Sequence, residues 1–132
     1  MKEIYLQALG IWIVMVFLAI INGTLRNNVY GPKMTELLAH QLSTVIYIAI
    51  FILMLFLFFS RTSTPYSQKD LVMIGILWLF LTIMFEFGFG HYIMGHPWSR
   101  LLNDYDLFQG RLWMLVLITE LTGPYLIGRI FQ

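Results

Sequence analysis

Four apolar runs, each close to 20 residues long, impose the strongest constraint on how this chain folds. They cover about residues 5–25, 37–59, 71–94 and 111–130, and the second contains the uncharged segment "YIAIFILMLFLFF". A helix of about 20 residues spans roughly 30 Å, which is the thickness of the hydrocarbon core of a bilayer. Because backbone amides in hydrocarbon must bond to one another, each run is predicted to be a transmembrane helix.

The composition also indicates a membrane protein. Of the 132 residues, 59% are hydrophobic and 11% are charged, whereas soluble domains carry about 25% charged residues. The absence of cysteine excludes disulfides, thiolate catalysis and Cys-ligated metals. No basic stripe suggests nucleic-acid binding. We therefore predict one all-α domain over residues 1–132, a four-helix transmembrane bundle with up-down-up-down topology.

This topology places both termini on one side of the membrane and loops 26–36 and 95–110 on the other. Lysine and arginine are evenly divided between the two sides, so the positive-inside rule alone does not define the orientation. We place the termini in the cytoplasm, because Arg26 and Arg111 at helix ends are expected to pair with acids. The spacing of Trp98, Leu101 and Tyr105 predicts a short helix in the loop between helices three and four, lying at the membrane–water interface.

Glu86 is a carboxylate near the end of the third apolar run. An ionisable group there is costly, so it should face the bundle interior and have a partner. It could be a proton-relay group, a metal ligand or an anchor for a polar ligand. Alternatively, a buried salt bridge to Arg26 or Arg111 would serve helix packing alone.

Glu120 lies nine residues beyond Arg111, near the middle of the fourth run. It is either a protonated side chain hydrogen-bonded to another helix or a proton-relay group. Pro124 leaves the backbone carbonyl of Glu120 without its usual helical partner, which favours a kink.

A polar stripe begins at His40 and continues through Ser43, Thr44 and Tyr47 at helical spacing. In a membrane such a stripe must face protein or water. Asn22, at the end of the first run, is well placed to meet it.

Two histidines and a charged loop are the remaining polar residues on the side of the membrane predicted to carry loops 26–36 and 95–110. His91 and His96 could present two imidazoles to one metal ion, and a haem could use His40 or His91. Asp104 and Arg111 are expected to hold loop 95–110 in place, with Arg111 forming a salt bridge to Asp104 or to Glu86.

The segments "NGTLRNNVYGP", "AHQLST" and "FEFGFGHYIMGHPWSRLLNDYDLFQGRLWMLV" resemble a family of small four-span prokaryotic membrane proteins over most of the chain. The resemblance implies a location in the prokaryotic inner membrane and a functional role for the loops, but no activity. The family pattern includes these polar and aromatic positions: Asn22, Arg26, His40, Gln41, Glu86, Gly90, His91, Trp98, Asp104, Tyr105, Arg111 and Trp113. Many members carry an acid where this chain has Asn27, which is a departure from the pattern.

Three kinds of function fit these features, and whether the protein is an enzyme stays open. The first is a ligand site under a cap formed by the two loops, holding a lipid headgroup or a quinone-like small molecule. Its residues would be Asn22, Arg26, His40, Glu86, His91, Asp104 and Arg111. The second is a redox or catalytic protein with a His-ligated metal or haem. The third is an accessory subunit of a larger membrane complex, and a homodimer is also possible.

Overall fold

The computed structural model describes residues 3–103 and 113–132, and these residues form helices and short connections without any strand. The α-helices are α1 (Glu3–Leu25), α2 (Glu36–Arg61), α3 (Gln68–Gly88), α4 (Trp98–Asn103) and α5 (Trp113–Gly128). The predicted all-α class is confirmed. Helix α4 matches the short helix predicted between the third and fourth apolar runs.

Four of these helices, with their short extensions, are long and apolar enough to cross a membrane: Glu3–Lys33, Glu36–Arg61, Gln68–Ile93 and Trp113–Phe131. Large apolar side chains point outward from them, including Phe17, Leu53 and Phe80, which are 63%, 59% and 59% exposed. A water-soluble domain rarely presents so continuous an apolar surface. The fold is thus compatible with a multi-pass membrane protein.

The beginning of α3 is held by a capping box. The Ser67 hydroxyl accepts a hydrogen bond from the Asp70 backbone N–H, and the Asp70 carboxylate accepts one from the Ser67 N–H. The Tyr5 hydroxyl of α1 donates to the same carboxylate at 2.7 Å. These bonds satisfy the first amides of α3 and connect it to the beginning of α1.

Replacing Tyr5 with Phe is expected to lower the free energy of unfolding by about 1.5–3 kcal/mol, because one donor to a charged group is lost. Unfolding in a detergent titration measures the change. Tyr125→Phe is the matched control, since the Tyr125 ring contacts the Arg129 guanidinium at 5.3 Å and Phe keeps that ring. Equal stability of the two variants would show that the Tyr5–Asp70 bond contributes nothing.

The core is built by close approach of α3 and α5. A Cβ at Gly75 of α3 would overlap the backbone carbonyl oxygen of Leu121 of α5, so the glycine sets the spacing of the two helices. Trp78 is fully buried and its indole N–H donates to the Ala8 carbonyl of α1 at 2.9 Å. Small residues that allow backbones to approach are typical of helix interfaces in membranes.

Helices α1 and α3 each end in a single π-helical turn, Arg26–Tyr30 and Phe89–Ile93. A π-helical turn contains an extra residue and frequently occurs at functional sites. Both turns border the same cavity, and their residues contribute to its wall.

Candidate functional site

A cavity of about 930 Å³ lies at the end of the bundle where α1 and α3 pass into their π-helical turns. Its wall contains polar side chains from all four long helices or their extensions, namely Asn22, Arg26, His40, Ser43, Glu86 and Trp113. Gly31, Pro32 and Met34 from the first loop and Met94 and His96 from the third connection also line it. The described parts of both predicted loop regions therefore reach one cavity.

The predicted meeting between Asn22 and the stripe on α2 is present. The Asn22 amide donates to the Ser43 carbonyl at 2.9 Å and to the Ser43 hydroxyl at 3.0 Å. Asn22, His40 and Ser43 are all buried. The Arg26 guanidinium reaches the Ser43 hydroxyl at 3.5 Å and the Asn27 side-chain oxygen at 3.3 Å. These contacts hold a cation beside the cavity.

Glu86 is anchored by Trp113, the first described residue of α5. The Trp113 indole N–H donates to Glu86 Oε1. The Trp113 ring stacks on Tyr47, with ring centroids 5.6 Å apart, and meets His40 edge-on at 6.4 Å. One tryptophan therefore orients the carboxylate while packing against the polar stripe of α2.

The buried salt bridge considered for Glu86 is not supported. Between described residues the structure contains no ion pair that joins Arg26 to Glu86, because Arg26 is turned toward Ser43 and Asn27. The alternative partner Arg111 and the loop residue Asp104 lie outside the described residues. Their predicted roles stay predictions.

The two histidines of the proposed metal pair lie in different surroundings. His91 stacks on Trp98, with centroids 3.7 Å apart, and its Nδ1 lies 2.9 Å from the His96 backbone oxygen. His96 lines the cavity, whereas His91 does not. Over residues 3–103 and 113–132, no three His, Asp or Glu side chains cluster as metal ligands. Metal or haem binding stays a prediction.

Glu120 lies away from the cavity wall, in the middle of α5. It is buried, and its Oε2 accepts a hydrogen bond of 2.6 Å from the Thr82 hydroxyl of α3. The helix continues through Pro124. The hydrogen bond joins Glu120 to another helix, and both alternatives derived from sequence, a protonated side chain and a proton-relay group, stay predictions.

Apolar residues of α1 and α3 form another part of the cavity wall. Ala19 and Ile20 belong to α1, and Phe85 belongs to α3, each several residues before its helix ends. Hydrogen bonds join α1 to α3 at Ala8 and Trp12, farther from this end of the bundle. The cavity lies beyond those contacts, and residues of α2 and α5 line it together with α1 and α3.

Sequence reasoning missed the hydrogen bond between Trp113 and Glu86, although it named Trp113 among the positions of the family pattern. A tryptophan seven residues before a buried carboxylate is compatible with ordinary packing. No known protein family, curated protein or solved structure matches the chain. The resemblance to small four-span prokaryotic proteins stays a prediction.

Proposed function

We propose that this chain is an integral membrane protein whose cavity binds the polar head of a membrane-dissolved amphiphile. One observation carries the proposal: a single cavity combines polar side chains from all four long helices or their extensions with apolar wall residues of α1 and α3. The head group of the amphiphile would contact the polar part of the cavity wall. The apolar tail of the amphiphile would lie between α1 and α3. A volume of about 930 Å³ falls within the usual range for small-molecule sites.

The polar groups suit a head group rich in hydrogen-bond acceptors. Arg26 supplies a cationic donor, and the His40 ring provides a second polar group close to Trp113. Both quinone carbonyls and lipid phosphates accept hydrogen bonds from such groups. The aromatic side chains of Phe85 and Trp113 offer flat surfaces that favour a quinone ring, while a phosphate would gain more from Arg26.

The four apolar helices are compatible with a multi-pass membrane protein, and the proposal adds a specific membrane and orientation. Four spans would cross a prokaryotic inner membrane up and down, with both termini on the cytoplasmic side. The cavity would then lie near the opposite interface. An amphiphile could reach it laterally from the bilayer, without passing through water.

Arg26→Gln is expected to weaken binding of the amphiphile by about 10-fold to 100-fold, because a charge-assisted hydrogen bond contributes about 1.5–3 kcal/mol. Lys33→Gln is the matched control, since Lys33 is an exposed cation at the same end of the chain and outside the cavity wall. Native mass spectrometry of gently extracted protein identifies bound mass in both variants and in the unchanged protein.

Titration of delipidated protein with a short-chain benzoquinone or with phosphatidylglycerol then separates the two head-group chemistries. Quenching of tryptophan fluorescence reports the quinone, because Trp113 lines the cavity. Equal binding by Arg26→Gln and Lys33→Gln would contradict the proposal. A Soret band or a stoichiometric metal in the purified protein would show that it binds a cofactor instead of an amphiphile.

A further inference from the structure

A groove between α1 and α2 lies at the end of the bundle opposite the cavity, and its volume is about 520 Å³. Helix α2 contributes to both sites, because Ser43 lines the cavity and Arg61 lines the groove. These two residues are separated by about 27 Å of helix, at about 1.5 Å per residue. The groove is therefore a separate site, which amphiphile binding in the cavity leaves unused.

Apolar side chains line the part of this groove that lies farther from the end of α2. They are Ile11 of α1 and Met54, Leu57 and Phe58 of α2. Leu57 is exposed, and the other three pack against the hydrophobic core. Met54 lies about 10 Å along the helix from Arg61. The groove thus offers an apolar path that runs from the end of α2 into the membrane-spanning part of the helix.

Polar side chains line the other end of the groove, namely Gln7, Arg61, Thr62 and Ser63. The Gln7 amide is already engaged within the protein. The Thr62 hydroxyl donates to Gln7 Oε1 at 2.8 Å, and Gln7 Nε2 donates to the Thr64 hydroxyl at 2.8 Å. These bonds connect α1 to the residues that follow α2 and hold this end of the groove together.

The Arg61 guanidinium supplies a positive charge at the polar end of the groove. Arg61 is the last residue of α2 and is exposed. In the part of the chain that the structure describes, no hydrogen bond or ion pair joins Arg61 to another side chain. No carboxylate of the described residues lines the groove, and Glu3 contacts Gln7 from outside it at 3.5 Å. The wall is therefore positively charged.

An anionic phospholipid matches this arrangement of charge and apolar surface. A guanidinium donates to phosphate oxygens through two parallel N–H bonds, and it sits readily at the level of lipid head groups. The Ser63 hydroxyl is a second donor beside it. A zwitterionic lipid also carries an ammonium group, for which the described wall of the groove provides no carboxylate.

We propose that the groove between the beginning of α1 and the end of α2 binds one phospholipid with a negatively charged head group. The phosphate contacts Arg61 and Ser63, and one acyl chain lies along Met54 and Phe58. The inference does not rest on amphiphile binding in the cavity, because the two sites share no wall residue.

Photolabelling of the protein in phosphatidylcholine vesicles tests the proposal. One probe is phosphatidylglycerol with a diazirine in its acyl chain, and the reference probe is phosphatidylcholine with the same chain. Mass spectrometry of peptides should find more phosphatidylglycerol label at Met54 and Leu57 than at Ile76 of α3. Ile76 is 47% exposed and lies about 10 Å along α3 from the exposed Lys69, so it represents an apolar helix surface beside a cation without a groove.

Arg61→Gln should lower phosphatidylglycerol labelling of the groove about 5-fold, the effect expected of one interfacial cation on an anionic lipid. Arg61→Lys should retain most of the labelling, because the charge stays in place. Lys69→Gln is the matched control and should leave labelling of the groove unchanged, since Lys69 is an exposed cation outside its wall. Circular dichroism and gel filtration confirm that each variant is folded.

Three results would overturn the proposal: equal labelling of the groove by the two probes, equal labelling of Arg61→Gln and Lys69→Gln, or phosphatidylglycerol label as strong at Ile76 as in the groove. An unlabelled groove together with a dimer in native mass spectra would also overturn it and would assign the groove to a second copy of the chain. A failure here leaves amphiphile binding intact, because the comparison of Arg26→Gln with Lys33→Gln does not involve the end of α2.

Discussion

Gly75→Ala should lower the free energy of unfolding by about 1–3 kcal/mol, the usual cost of overpacking one methyl group. The added carbon would meet the Leu121 backbone carbonyl of α5, and a backbone atom cannot move aside as a side chain can. Helices α3 and α5 would have to separate along the surface that carries Thr82 and Glu120. Thermal unfolding in detergent, followed by circular dichroism, measures the loss.

Gly10→Ala is the matched control for this substitution. Gly10 also lies inside a long apolar helix, and a Cβ there would meet nothing within 4 Å. Alanine has a higher helix propensity than glycine by up to about 1 kcal/mol, so this variant should be unchanged or slightly more stable. If Gly10→Ala and Gly75→Ala lose the same stability, close approach of α3 and α5 is not what Gly75 provides.

Trp113→Ala is expected to cost about 3–5 kcal/mol, the range found when a large aromatic side chain is removed from a packed site. The variant would lose the stacking on Tyr47, the edge contact with His40 and the hydrogen bond to Glu86. Amphiphile binding should be lost together with much of the stability. Unfolding curves and native mass spectra on the same sample report the two effects.

Trp113→Phe separates packing from hydrogen bonding at this position. Phenylalanine keeps a ring against Tyr47 but has no N–H for Glu86, so the expected loss of stability is smaller, about 1–3 kcal/mol. Binding should still weaken, because the carboxylate loses the donor that orients it. Unchanged binding in Trp113→Phe would show that orientation of Glu86 by the indole is irrelevant to the cavity.

The helices could be predicted from the chain because bilayer thickness and backbone hydrogen bonding leave few alternatives. The predicted first helix at 5–25 corresponds to Glu3–Leu25, and the predicted second helix at 37–59 corresponds to Glu36–Arg61. The third run is expected from hydropathy to be helical to residue 94, but α3 ends at Gly88 and passes into a π-helical turn. Hydropathy reports only which residues are apolar, so it cannot distinguish an α-helical turn from a π-helical turn of the same sequence.

Part of the site could also be predicted by the same reasoning. The polar stripe on α2 had to face inward, and Asn22 was expected beside it, as the hydrogen bonds to Ser43 confirm. Arg26, His40 and Glu86 line one cavity. The partners of Arg26, His40 and Glu86 could not be predicted, since the apolar periodicity of a membrane helix does not define which face meets which neighbour.

The sequence alone thus predicted the helices, their lengths and the inward position of the polar residues. It could do so because bilayer thickness limits helix length and because unpaired polar groups in a membrane are costly. Packing in three dimensions then determined that Thr82 rather than a cation meets Glu120, and that Trp113 holds Glu86. Such pairings depend on interhelical distances of a few ångströms. These distances are set where Gly75 lets α3 and α5 approach, and local sequence does not encode them.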